Sequence, residues 1–459
     1  MKKIVLVIIA FALSIGLLSC HTTGSFPEDT IQSESDSISV STIPEHQTVT
    51  IYVPKNLNMT VTIEKLAAEF MAENEDVTIE IEAFDLNAQD YAHKLSSDLL
   101  SGTGPDLLLI GFENVTSNAM SLLQTDAFAD LQALNQVYGH MDWSDYESVA
   151  DAFVWNGKRV AIPLFFTVPL MIGIEETLEE ASIAYGKDAS FGAFMESLAA
   201  YDGIAFRSPI MVAGMYRQVG LNVINQRSDS VDFNGDFKAF MEAYNELYPT
   251  ISSGGYSSYL PSGQYENPEI GALLAGDILF YNRAAAMDIN NIGYLYDQIR
   301  KAEKTPVIYA IPSLDGSSDV SVTPGICGGI NASSESQEAA LRFLAYLTSF
   351  EAGYDMTSYG ISINRLYNDA CRAFISGEEV ILPEGIDERE AWHSLTYTLD
   401  AQFIEAYYAY MDAAVVKTLV DQDALNFVSS IMVDVQKNGM SMQEAIAKEE
   451  SALKIYICE

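Results

Sequence analysis

Apolar and polar positions alternate over Val49, Ile51 and Val53, and again over Val77, Ile79, Ile81 and Ala83. A period of two predicts strands. Between them Leu66, Ala67, Phe70 and Met71 recur at helical spacing within residues 63–73, so a helix joins the two strands. Helical spacing returns over residues 90–100 and is stopped by Ser101-Gly102-Thr103-Gly104-Pro105. Leu107–Ile110 is apolar without a break, as expected of a strand buried on both faces. Strand, helix, strand, helix, strand predicts an α/β fold with a parallel or mostly parallel sheet between helices. Val160-Ala161-Ile162-Pro163 opens a second region of the same kind, running to Gly325. From about Ser336 the pattern is helical almost throughout, over residues 339–348, 395–420 and 424–437. Ser441 with Glu444 three positions later predicts a last helix that opens on a capping box.

The chain starts differently. Lys2 and Lys3 precede an apolar run over residues 4–18, broken only by Ser14. That is short of the roughly 20 residues a span needs and has the charged start and apolar middle of a secretory signal. It ends in Leu17-Leu18-Ser19-Cys20, which resembles the lipobox of bacterial lipoproteins. The resemblance implies a signal peptide over residues 1–19 and a diacylglycerol on the Cys20 thiol. Residues 21–47 are rich in Ser, Thr, Asp and Glu and read as a disordered tether. The mature chain is then lipid-anchored at the outer face of the cytoplasmic membrane, not threaded through it.

Charge narrows the partners. The chain has 24 Lys+Arg against 64 Asp+Glu, and losing two lysines with the signal takes the net charge from −40 to −42. Nucleic-acid phosphates would be repelled, and so would anionic lipid, which leaves the lipid anchor to hold the chain at the membrane. A hydrophobic content of 49% excludes general disorder. If Cys20 carries lipid, Cys327, Cys371 and Cys458 leave at least one free thiol, and a Cys327–Cys371 bridge stays open. No two of the five histidines stand at metal-site spacing. A calcium loop around Asp232-Phe233-Asn234-Gly235 fails, because Met241 stands where a bidentate Glu is needed. G-x-S-x-G, H-E-x-x-H and P-loop motifs are missing. Carboxylate pairs in so acidic a chain read as solvated surface before they read as glycosidase chemistry. The expectation is a non-enzyme with no metal and no cofactor.

Separated stretches are similar, in the right order, to the extracellular solute-binding proteins of ABC importers, the sugar-binding group in particular. They are Thr48 to Pro54, Leu66-Ala67-Ala68-Glu69-Phe70, Val77-Thr78-Ile79-Glu80, Gly104-Pro105-Asp106-Leu107-Leu108, and Asn156-Gly157-Lys158-Arg159-Val160-Ala161-Ile162-Pro163. Val231-Asp232-Phe233-Asn234, Gly328-Gly329-Ile330-Asn331-Ala332-Ser333-Ser334 and Gly439-Met440-Ser441-Met442-Gln443-Glu444-Ala445 complete the set. The chain departs from the family at Met171-Ile172-Gly173-Ile174-Glu175-Glu176 and at Gly276-Asp277-Ile278-Leu279-Phe280-Tyr281. The resemblance implies two α/β lobes of the periplasmic-binding-protein type, class II, joined by crossing strands, with a ligand cleft between them that closes by hinge motion. The expected boundaries are residues 48–164 plus about 305–362 for the first lobe, and 165–304 plus about 363–459 for the second. The implied function is capture of a small solute, a carbohydrate or oligosaccharide, for an ABC permease by a monomeric receptor. A surface sensor or adhesive lipoprotein is the alternative, and a secreted glycoside hydrolase stands behind both.

In parallel sheets ligands bind beyond the carboxyl ends of strands. That rule selects Asn56 after the first strand, Phe112 and Glu113 after the third, Phe165 and Phe166 after the crossing strand, and Asn282 with Arg283 farther on. Sugars also present C–H faces to aromatic rings, which adds Tyr216, Tyr256 in a Gly/Ser-rich stretch, and Trp392.

Overall fold

The computed structural model describes residues 45–54, 59–111, 119–186, 189–208, 210–225, 228–252, 268–282, 289–380, 382 and 399–458. Cys20, the signal and all but the end of the tether lie outside the described residues. No described helix is long and apolar enough to cross a membrane.

The first lobe is built on β1 (Gln47–Pro54), which pairs in parallel with β2 (Val77–Phe84) and β3 (Leu107–Ile110). Helices α1 (Thr60–Glu73) and α2 (Ala88–Ser101) make the connections. Side-chain alternation sends Val49, Ile51, Val53, Leu107 and Leu109 into one apolar cluster with Ile63, Leu66 and Phe70 of α1. Tyr52, Leu108 and Ile110 enter another with Tyr91 and Leu95 of α2. No residue of β3 is more than 1% exposed, so its unbroken apolar run follows from burial on both faces. Antiparallel β12 (Cys327–Ile330) and β4 (Ile162–Pro163) finish the sheet in the order β2-β1-β3-β12-β4. Three of the family-like stretches meet at its amino edge. The Asp106 carboxylate accepts from Thr50 N at 2.8 Å and Ser334 Oγ at 2.5 Å, and Asn331 Nδ2 donates to Pro105 O at 3.0 Å.

The second lobe holds β6 (Leu170–Ile174), β7 (Ile204–Phe206), β8 (Ile278–Tyr281) and β9 (Pro306–Ala310), in the order β9-β6-β8-β7. β7 and β8 are parallel, and β6 runs against β8 and β9. This corrects one expected boundary. The first lobe does not resume near residue 305, because β9 pairs with β6 along its length and Tyr309 packs on Phe194 and Phe280 at 5.2 and 6.0 Å between ring centroids.

The chain crosses between the lobes at β5 (Phe165–Thr167), β11 (Thr323–Pro324) and β13 (Ile361–Ser362), which form a sheet of their own, β11-β5-β13. Phe165 lies between the two neighbouring segments. A Cβ on Gly325 would sit 2.3 Å from its ring, and one on Gly360 would sit 2.8 Å from the ring and 2.4 Å from Phe166 O. Glycine stands at both positions because Phe165 and the β5 backbone take the space of a side chain.

The helix expected over 395–420 is shorter. Helix α5 (Ala401–Asp412) opens on Asp400, whose carboxylate accepts from Phe403 N, and β14 (Ala414–Val415) then pairs with β10 (Val320–Ser321). The apolar periodicity carries through, but the backbone donors and acceptors of 414–415 are used in the sheet. Helices α6 (Gln422–Gln436) and α7 (Met442–Tyr456) close the second lobe. The capping box at Ser441 and Glu444 is formed in both directions. Ser441→Ala is therefore expected to cost about 1 kcal/mol, read as a lower urea midpoint with an unchanged far-ultraviolet spectrum.

Cys327, Cys371 and Cys458 are free, and burial pushes the Cys371 thiol up to about 12. Among the described residues no group of three His, Cys, Asp or Glu is placed to hold a metal.

Candidate site at the strand ends between the lobes

In the first lobe β1, β2 and β3 end side by side at Pro54, Phe84 and Ile110. The residues selected just beyond, Asn56, Phe112 and Glu113, lie outside the described residues, as do Tyr256, Arg283 and Trp392. What is described there is aromatic and cationic. Phe84 meets Tyr52 edge-on at 4.9 Å, and Lys94 Nζ stands 4.6 Å from the Phe84 ring centroid. The Asp98 carboxylate, 2.7 Å from that ammonium, holds the Lys94 pKa up.

In the second lobe parallel β7 and β8 end at Phe206 and Tyr281. The Asn282 amide binds the two ends together: its Oδ1 accepts from Ser208 N at 3.0 Å and its Nδ2 donates to Ser208 O at 2.9 Å. Arg207 is thereby held with its guanidinium 5.3 Å from the Tyr281 ring centroid, and its Nη1 donates to Ser208 Oγ at 3.0 Å. Its Nε is buried with no hydrogen-bond partner among the described residues. The Arg207 guanidinium thus stands at this strand edge over a Tyr281 ring that is itself buried, with the Asn282 amide committed to Ser208. Asn282 was selected by the strand-end rule. Arg207 was missed, although it follows an apolar strand as Asn282 does.

Exposed apolar side chains frame these edges. Val61, in the first turn of α1, is 73% exposed, and Met211, which precedes α3 (Val212–Gln218), is 62% exposed. Each begins the helix that follows a strand ending at the edge.

The remaining selected residues are placed otherwise. Phe165 is the hinge wedge, 8% exposed, and Phe166 is 2% exposed and lines a cavity beside the hinge sheet. Tyr216 is fully buried in the second core, where its hydroxyl accepts from Val223 N at 3.1 Å and Ile224 N at 3.3 Å. It organises a turn and has no surface to offer a ligand.

One segment between the lobes had no signal in the sequence. Leu419 packs on the first-lobe cluster of Tyr52 and Ile110, while the next residue, Val420, lies in the second-lobe core. Lys417 fixes the segment. Its ammonium reaches Asp315 Oδ2 and Ser313 Oγ at 2.9 Å each and Ser317 Oγ at 2.6 Å. Ser317 N and the Lys417 ammonium hold the Asp315 carboxyl well below the usual range.

Comparison with known proteins agrees with this architecture. The profile of a family described as bacterial extracellular solute-binding protein matches residues 65–364. No curated protein sequence matches the chain. Among solved structures, the sugar-binding protein MalE of Xanthomonas citri is 15% identical, with a TM-score of 0.62 over 90% of this chain and 98% of its own. An oligosaccharide periplasmic-binding protein from Synechococcus is 14% identical, with a TM-score of 0.59 over 89% and 99%. An ABC substrate-binding protein of Listeria monocytogenes, in complex with cycloalternan, is 15% identical, with a TM-score of 0.57 over 90% and 99%. These likenesses establish the two-lobe fold, and the profile covers well over half of the sequence. The chain belongs to the bacterial extracellular solute-binding proteins.

Proposed function

We propose that this protein captures an oligosaccharide in the cleft between its lobes and hands it to an ABC permease, held at the outer face of the cytoplasmic membrane by a lipid on Cys20. The observation that carries the ligand class is the Arg207 guanidinium at this strand edge, held in place over Tyr281 because Asn282 spans the two strand ends. Pre-positioned groups lose little freedom on binding, which favours affinity. Sugar-binding proteins among the structural neighbours support the same class. The binding of unmodified sugar, without turnover, is the receptor's task.

A thermal-shift screen of the chain lacking residues 1–20 against mono- and oligosaccharides, amino acids, polyamines and osmolytes tests this. At a hundredfold excess over Kd a ligand of the folded state adds about 2.7 kcal/mol, and the sugar should be recovered unchanged. A shift with amino acids or polyamines alone would sink the carbohydrate reading. Arg207→Met is expected to weaken sugar binding by roughly tenfold to a hundredfold, the worth of one hydrogen bond from a charged group. Its melting temperature without sugar should stay near that of the parent, which a paired calorimetric scan checks.

A further inference from the structure

A cavity of about 310 Å³ opens beside the hinge sheet and, among the described residues, shares none with the strand-end site. Its floor includes Phe166 of β5 and Gly360, Ile361 and Ser362 on and beside β13. Helices α4 (Arg365–Ser376) and α5 wall it, and the rings of Tyr354, Tyr367, Phe374, Tyr407 and Tyr408 face it. The volume falls within the range of small-molecule sites, which are concave and lined by rings with a few placed polar groups.

The charges around it are unequally answered. Arg365 donates to Ser144 O at 2.5 Å and pairs with Asp369 at 3.6 Å. Arg372 pairs with Asp412 at 3.4 Å and lies over Tyr408, 4.8 Å from the ring centroid. Both cations on the wall are therefore satisfied. Glu147 is different: its carboxylate accepts a hydrogen bond from the neutral Asn368 amide at 2.7 Å. Burial pushes its pKa up, as do the negative charges of Asp369 and Asp412, while the Asn368 hydrogen bond and the Arg365 charge pull it down only in part. A positive guest would remove that penalty, since an opposite charge nearby favours the ionised carboxylate. The rings would add cation–π attraction.

We propose that this cavity is a second binding site, separate from the sugar cleft, for a small organic cation of the amine or quaternary-ammonium class, with Glu147 as its counter-ion. The full chain in mild detergent is titrated calorimetrically with choline, with benzylamine, and with the uncharged tert-butyl isostere of choline. Choline or benzylamine is expected to bind, and the isostere to bind about tenfold more weakly or not at all, a difference of about 1.4 kcal/mol. Glu147→Gln, which keeps the shape and removes the charge, is expected to weaken the cation by a similar factor. Ser148→Trp, from an exposed wall position, fills the space and is expected to abolish binding. Both variants are checked for an unchanged response to the sugar that the parent binds. Binding of the isostere as tightly as choline, undiminished binding in Glu147→Gln or Ser148→Trp, or no binding of either cation to the parent overturns the proposal. Failure of the sugar screen with cation binding intact would count against the cleft reading alone.

Discussion

Replacing Gly360 by alanine is expected to lower the stability of the folded chain by about 3 kcal/mol, the upper end for overpacking a filled site. The added Cβ would stand 2.4 Å from Phe166 O and 2.8 Å from a Phe165 ring carbon. Rotation of a side chain cannot relieve the first contact, because the obstacle is the backbone of β5. The crossing strands would have to part, and Ile361 and Ser362 pair with Phe166 and Phe165 at that point. The urea midpoint should fall, and if the chain binds sugar as proposed its affinity should change with the packing of the crossing strands. Gly192→Ala is the matched control. Gly192 lies in the helix Phe191–Ala200, and nothing stands within 4 Å of its missing Cβ, so alanine should raise stability by about 0.5–1 kcal/mol through helix propensity. Equal midpoints for the two variants would mean that the three crossing segments are not packed as described.

Tyr216→Ala is expected to cost about 4 kcal/mol, as large-to-small changes of buried rings do. Its ring packs against Phe237 and Phe240 with centroids 6.4 and 6.5 Å away. Tyr216→Phe separates the two parts of the effect. It keeps the ring and leaves Val223 N and Ile224 N without their acceptor, for a loss of about 1–3 kcal/mol. Burial raises the hydroxyl pKa, so the group stays neutral at physiological pH. Denaturant titration of both variants, with and without sugar, distinguishes a core residue from a ligand residue. A core residue shifts the midpoint and leaves the ligand increment nearly intact. Loss of the sugar increment at unchanged stability would return Tyr216 to the site.

Much of this protein was legible in its residues. The alternation at Val49, Ile51 and Val53, the helical face of Leu66 and Phe70, and the unbroken run Leu107–Ile110 each became the element they predict. Each element's period matches the way it is buried, and period is a local property. The capping box at Ser441 was readable for the same reason, since both partners lie within one turn. The strand-end rule selected Asn282 from the end of an apolar strand alone, and its amide ties two strand ends together.

Tertiary structure decided the rest. The residues 395–420 have helical periodicity throughout, yet Ala414 and Val415 are drawn into a sheet by Val320 and Ser321, far away in sequence. The same distance hid the lobe assignment of β9, which only its pairing with β6 settles. Phe165 and Tyr216 read as candidate ligand residues because an aromatic side chain serves a core and a cleft equally well. Two glycines from other crossing segments enclose Phe165, and two backbone amides occupy the Tyr216 hydroxyl. Arg207 went unnoticed because its environment, the Tyr281 ring and the Asn282 clamp, is assembled from strands that the sequence keeps more than seventy residues apart. By itself the sequence determined most of the strands and helices and the faces they bury, since these depend on near neighbours, but not the strand at 414–415. Which segments meet, and so which side chains are left facing a ligand, depended on contacts between distant parts of the chain.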